Sequence, residues 1–410
     1  MSSAPARQLS PVDDPRVPLR MGNGSAVFLV SLAGLMMANL APLIMSVFEQ
    51  VGFDVVASGN ILTWGLFASA VIGLATSRAA AGSHRRSLAA VGLIVAVVGF
   101  GAAAIVTHSG WVVATFILGA IGVGTAISTS GAAIAALRNP NRVSATSGVV
   151  NRLLVMVVLA VIPMLGLAQA NVFGALALLS LIALAVTIWL PNTPELAIVD
   201  VADESPTVPT NAPRRVLFAG IGVLIVFPLW GTSEDAVWTL APTLGNAAGL
   251  SEQGLGFALS AAAGVGAGAM VIVTLSGRRI GRAVPLAIAL LLGGATKIWI
   301  GLTGDPQTLA VLIVVVNTIY AFAFVLFIAT AAGLDARGRW SGPLIGAYIV
   351  GSSFAPIIGA WVIDGAGIPA FGVSMGIVSF ILIIPTVLIA RVSTGVEETL
   401  THLGEVEPTR

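Results

Sequence analysis

Residues 216–250, VLFAGIGVLIVFPLWGTSEDAVWTLAPTLGNAAGL, form an apolar run long enough to cross a bilayer, and they carry Glu234 and Asp235 side by side. A spanning helix needs about 20 mostly apolar residues. An ionised side chain in hydrocarbon is costly, so acids in such a helix face a bundle interior or a wet cavity. The stretch therefore reads as a membrane span with a functional charge inside it.

The rest of the chain repeats the apolar pattern. Of 410 residues, 57% are hydrophobic and only 9% charged, and the mean hydropathy is +1.01. That composition excludes an ordinary soluble domain. With no cysteine there is no disulfide framework, thiolate nucleophile or soft-metal site. Twelve segments of spanning length follow one another between short polar breaks: 24–48, 56–77, 87–107, 111–137, 143–168, 172–190, 216–245, 252–276, 283–303, 307–333, 341–363 and 370–392. They lack the alternation of barrel strands, and a helix satisfies its own backbone in lipid. The predicted class is an all-α multi-pass membrane protein.

Seventeen of the 19 basic residues fall on one side of these spans, the exceptions being Arg152 and Lys297. By the positive-inside rule both termini are cytosolic, which for a bacterial chain means the inner membrane. The opposite loops hold acids such as Glu49, Asp54, Glu252, Asp305 and Asp364. Residues 1–23 read as a cytosolic tail rather than a signal peptide, because they have no apolar core. A proline-rich, acidic stretch at 191–215 reads as a cytosolic linker. It divides the chain into six-helix halves at 24–190 and 216–392, with a C-terminal tail at 393–410. The near-equal halves suggest an internal repeat. Aligning the loops after the second and eighth spans sets Gly82 against Gly281, an offset of 199 that places Glu234 opposite Leu35.

These residues resemble the major facilitator superfamily of secondary transporters, whose halves each carry a Gly- and Arg-rich cytosolic turn between their second and third helices. LSGRRIGRAVPL at 275–286 matches that turn, with Arg278, Arg279, Gly281 and Arg282. GLATSRAAAGSHRR at 73–86, with Arg78, Gly82 and Arg85, is a degenerate copy in which Ser77 stands where the family usually has an aspartate. VIPMLG at 161–166 keeps only Pro163 and Gly166 of the Gly-Pro signature of many family exporters. The resemblance implies a twelve-helix fold in two pseudo-repeats, alternating access, and gating at the Arg-rich turns. It also implies a central cavity lined by helices 1, 4, 5, 7, 10 and 11.

Within that setting the acids are the proton-coupling candidates. Adjacent helical residues point about 100° apart, so the two cannot share a face. Glu234 is the expected cavity residue, because Trp230 and Trp238 lie four residues to either side and form a stripe able to grip a cation or an aromatic solute. Counting from Arg215 puts Glu234 roughly 28 Å along the helix, which leaves an outer-mouth location open beside the cavity one. An interfacial tryptophan belt is the bland alternative for the stripe. Arg152, beside Asn151, falls near the bilayer centre and needs either an acid of this chain or an anionic group of the substrate. Lys297 reads as snorkelling to the outer interface. Asn39, Asn317, Tyr320 and Tyr348 complete the candidate binding residues, each of which also fits a plain helix-packing hydrogen bond.

No nucleophile motif, metal-ligand spacing or phosphate-binding loop appears, so neither enzyme chemistry nor a cofactor is expected. The expected partners are the lipid bilayer, a small-molecule substrate and protons, without nucleic acid and with the chain acting as a monomer. The reading is a proton-coupled secondary transporter of a small organic solute, leaning to uptake. A proton-antiport efflux pump and a non-transporting receptor remain as alternatives.

Overall fold

The computed structural model describes residues 17–138, 140–192, 214–276, 281–334 and 340–405. Its helices are α1 (Met21–Asn39), α2 (Ala41–Val51), α3 (Val55–Ala81), α4 (Arg85–Ile105), α5 (Ser109–Ala135), α6 (Pro140–Leu165), α7 (Gln169–Val186), α8 (Arg214–Thr239), α9 (Ala241–Ala248), α10 (Glu252–Ser276), α11 (Ala283–Leu302), α12 (Pro306–Ala332), α13 (Ser341–Ser352) and α14 (Ala355–Glu405). Among the described residues eleven helical stretches are long and apolar enough to span a membrane. The last, Pro343–Glu397, is 55 residues long, more than twice the roughly 20 residues of one crossing. It is broken at Gly367, whose φ of 82° lies in the left-handed region that only glycine adopts freely. Counted as two, it brings the crossings to twelve. Apolar side chains such as Leu275, Ile384 and Phe218 face outward, as a lipid solvent requires.

The first and seventh spans share a local break. α1 gives way to α2 at Leu40 (φ −91°, ψ 10°), and α8 gives way to α9 at Leu240 (φ −90°, ψ 7°). Each break precedes an Ala-Pro pair, Ala41-Pro42 and Ala241-Pro242. Proline donates no backbone hydrogen bond and crowds the preceding turn, so the helix restarts there. The matching breaks set the repeat offset at 200 rather than 199. Asp235, not Glu234, is then the counterpart of Leu35.

α1, α3, α4, α5 and α7 pack on one another, as do α8, α11, α12, α13 and α14; the groups meet where α6 lies on α10 and α3 on α13 and α14. One core cluster runs through both groups at the acid-rich end, joining Phe48, Phe116 and Phe173 to Leu240, Ala241 and Phe371. Two others stay within single groups nearer the arginine-rich end.

Several sequence expectations change at that end. Gly281 has a φ of 68°, whereas its aligned partner Gly82 has φ −84° and ψ −173°, so the two turns are not equivalent. Arg85 is buried and donates to the carbonyls of Ala80 and Pro191, each at 2.7 Å, while Arg78 is exposed. Arg282 meets Glu397 at 2.6 Å and Ser393 at 2.8 Å. That anchorage carries the last helix on to Glu405, through residues expected as a tail from 393. Arg278 and Arg279, most of the linker and residues 1–16 lie outside the described residues.

α11 and α14 approach closely enough that glycine is required where they cross. A Cβ built on Gly301 would lie 2.7 Å from Gly372 Cα, and one on Gly372 would lie 2.6 Å from the Lys297 carbonyl oxygen. Substituting Gly301→Leu should lower stability by about 1–3 kcal/mol through overpacking. Denaturant unfolding in detergent, followed by tryptophan fluorescence, measures it.

Candidate functional site

A buried ion pair sits behind the centre of the second half. Lys297 Nζ lies 2.7 Å from Glu234 Oε1 and donates to Ser233 Oγ and Ser379 Oγ, each at 2.8 Å. Its three N–H groups thus have three acceptors, one carboxylate and two hydroxyls. Lys297 is fully buried and Glu234 is 5% exposed. The expectation that Lys297 snorkels is corrected: α11 turns it inward between α8 and α14, where a full charge needs an ionic partner. Glu234 lies within the helical path rather than at its acid-rich end, since that path continues 14 residues past it to Ala248, roughly 21 Å.

This pair fixes where Glu234 points and exchanges the expected positions of the two acids. Asp235 lines the central cavity, while Glu234 faces away towards Lys297. Trp230 leaves the cavity with Glu234: it is 1% exposed and stacks on Phe227 and Tyr320, at ring-centroid distances of 6.0 and 5.4 Å. Trp238 remains at the cavity, its indole N–H donating to the Asn39 carbonyl oxygen at 3.3 Å. The expected three-residue stripe is therefore divided, because residues four apart drift around the helix and only its outer member reaches the cavity wall.

The cavity has a volume of about 310 Å³ and lies between the halves. Asn39, Asn151, Arg152, Asn317, Tyr320 and Tyr348, all expected at the site, line it together with Asp235. The Tyr348 hydroxyl donates to Asp235 Oδ2 at 2.7 Å and lies 2.7 Å from the Tyr320 hydroxyl. Arg152 donates to Asn317 Oδ1 at 3.2 Å, and its guanidinium carbon stands 5.6 Å from the centre of the Tyr320 ring. Arg152 therefore does not pair with Glu234; it shares the cavity wall with Asp235. Asn39 Nδ2 and Asn151 Oδ1 are buried without a hydrogen-bond partner. A smaller void of about 20 Å³, bordered by Glu234, Asp235, Asn317 and Tyr320, joins the ion pair to the cavity wall; its size suits one water molecule.

Hydrogen bonds tie the halves together at one end of the cavity. Between described residues, the hydrogen bonds joining the halves lie at the cavity or on its acid-rich side. They include Thr243 to Glu49 at 3.0 Å, Ser260 to the Met156 carbonyl at 2.8 Å and the Ile357 amide to Thr63 at 3.2 Å. On the other side the lining residues Gly148, Met270 and Ile345 lead towards the arginine-rich end.

A two-part helical bundle around a charged central cavity is the build of a secondary transporter rather than an enzyme. A model of the Major Facilitator Superfamily matches residues 26–342, and the chain belongs to that superfamily. No curated protein sequence matches it. Among solved structures it is similar to the human organic anion transporter MFSD10 (TETRAN), with 17% identity, a TM-score of 0.67, and coverage of 90% of this chain and 100% of that one. It is also similar to a D-xylose-proton symporter, with 16% identity, a TM-score of 0.65, and coverage of 91% and 96%. A D323A mutant of the nucleoside transporter NupG has 14% identity, a TM-score of 0.62, and coverage of 92% and 99%. At these identities the likeness shows the fold.

Sequence reasoning missed Lys297 as a site residue. Its signal was that it is the only lysine of the chain and lies inside a span. Substituting Lys297→Met leaves Glu234 without its buried partner and should cost about 3–5 kcal/mol, whereas the double substitution with Glu234→Met should recover most of that loss. Denaturant unfolding of the four proteins of this cycle in detergent checks both the cost and its recovery.

Proposed function

We propose that this protein is a proton-coupled secondary transporter of a small organic solute, working by alternating access in the inner membrane with both termini cytosolic. The observation that carries the reading is Asp235, a carboxyl group on the cavity wall in the interior of a span, hydrogen-bonded to a tyrosine and sharing that wall with Arg152. Such a group takes up a proton when the cavity opens to one side and releases it to the other. This assigns the carrier role to Asp235 in place of Glu234, whose carboxylate is committed to Lys297. The hydrogen bonds between the halves at the acid-rich end and the lining that leads to the arginine-rich end support an inward-facing state. The paired breaks at Leu40 and Leu240 are the natural hinges of closure, since each lies where a cavity-lining helix changes direction. The Arg-rich turns with Arg78, Gly82, Arg85, Arg278, Arg279, Gly281 and Arg282 keep their proposed gating role at the cytosolic face. We assign inward transport, driven by the proton gradient. The chemistry named for two of the fold neighbours, organic anion transport and proton-sugar symport, is compatible with this build.

Proteoliposomes test the assignment with any solute that thermally stabilises the purified protein. Asp235→Asn should abolish pH-gradient-driven accumulation and leave solute counterflow intact. Unchanged pH-driven accumulation in that variant would remove Asp235 from the mechanism.

A further inference from the structure

The charges and the free hydrogen-bonding groups of the cavity bear on what the solute is. Four ionisable side chains with full charges meet at the centre of the second half and its border with the first. Arg152 and Lys297 carry two positive charges, and Glu234 and Asp235 carry two negative ones, so the set is neutral when both acids are ionised. Tyr320 and Tyr348 are the other titratable groups facing Asp235, and both are neutral phenols. The three donors of Lys297 are taken by Glu234 and two serines, and the pair lies behind the cavity wall across the small void. Of the five N–H donors of Arg152, one meets an acceptor, Asn317 Oδ1. Asn39 adds a second buried donor without a partner. Asp235, by contrast, already accepts from Tyr348. The free acceptors are Asn151 Oδ1 and the remaining lone pairs of Asp235; once Asp235 carries a proton, the free polar capacity of the cavity is weighted towards donors.

We infer that the solute is a small organic acid whose carboxylate is held by the Arg152 guanidinium, with Asn39 in support, and that one proton crosses with it on Asp235. This deepens the proton-coupled reading above and rests on it. A planar guanidinium presents paired donors to a carboxylate at fixed geometry, which an ammonium does not. An amine would bring donors to a wall whose free groups, once Asp235 carries its proton, are mostly donors. Charge balance points the same way. The empty cavity is neutral, and the cavity loaded with one carboxylate and one proton is neutral again. A carboxylate alone leaves it at −1, and a proton alone at +1. Alternating access moves the whole site through a low-dielectric environment, where uncompensated charge is costly. The two neutral states are therefore the ones that reorient, which is the logic of symport. Exchange of a cation for a proton would instead require reorienting states of +1 while the neutral empty state leaked. About 310 Å³ of space limits the acid to a small body. Trp238, Tyr320 and Phe324 give that body an aromatic wall.

The test is a thermal-shift panel on the purified full-length protein. Small monocarboxylates graded from acetate to indole-3-acetate are set against their primary amides and the corresponding amines. At least one carboxylate should stabilise the protein, and its amide and amine should not. Arg152→Gln should raise the half-saturating concentration of that acid about tenfold or more, with Arg152→Lys intermediate. If Arg152→Gln does not fold, Arg152→Lys and Asn39→Leu carry the same comparison. Stabilisation by amines or amides, no response to any carboxylate, or undiminished carboxylate binding in the Arg152 variants would overturn the inference. Uptake of the stabilising acid into proteoliposomes then separates the two claims. Accumulation that ignores the pH gradient refutes proton coupling and the coupled proton, and leaves carboxylate recognition standing. Accumulation of a neutral or cationic solute driven by the pH gradient refutes carboxylate recognition and leaves the transporter reading standing.

Discussion

The ammonium of Lys297 has no exposed surface, and it is held 2.7 Å from the Glu234 carboxylate within a helical bundle that lipid surrounds. Two opposite charges can be kept in such a place only if each completes its hydrogen bonding on the other or on nearby polar groups. Ser233 and Ser379 supply those groups from α8 and α14, so the ammonium ties α8, α11 and α14 together at one point. The glycine crossing of α11 and α14 makes this possible, because Gly301 and Gly372 let the two backbones approach beside the lysine. Much of the second half follows from that knot. With Glu234 turned to α11, the next residue of α8 must point about 100° away, and that direction is the cavity.

The consequence is a division between charges that are saturated and charges that are not. Lys297 and Glu234 answer each other and leave little for a solute to do. Asp235 has one tyrosine hydroxyl, and Arg152 has one asparagine oxygen and an aromatic face. A guanidinium that keeps most of its donors free at the wall of a cavity is costly to the fold unless water or a solute meets them. The same second half therefore holds one ion pair suited to stability and a second set of charges suited to exchange. Their common border is the small void between Glu234 and Asp235.

Several features were legible in the residues alone. Apolar runs and the one-sided arginines dictated twelve crossings and two halves, because a bilayer admits few other solutions for such a chain. The candidate list around Asn39, Arg152, Asn317, Tyr320 and Tyr348 was also legible, since polar side chains deep in spans have few places to go but inward. The repeat was readable more sharply than loop glycines allowed. Leu40-Ala41-Pro42 and Leu240-Ala241-Pro242 recur at an offset of 200, and that register already pairs Asp235 with Leu35, both of which line the cavity.

Span membership is a matter of counting apolar residues, so the sequence by itself determined which side chains lie inside the spans, while the same count left Glu234 between the cavity and the outer mouth. Azimuth depends on which neighbours a helix packs against, and neither Glu234 nor Lys297 carries that information in its own position. The tertiary structure decided it, through a pairing between residues 63 positions apart, on α8 and on the helix α11 that crosses α14 at glycines. That pairing placed the lysine in the core, withdrew Glu234 and Trp230 from the cavity, and turned Asp235 into it.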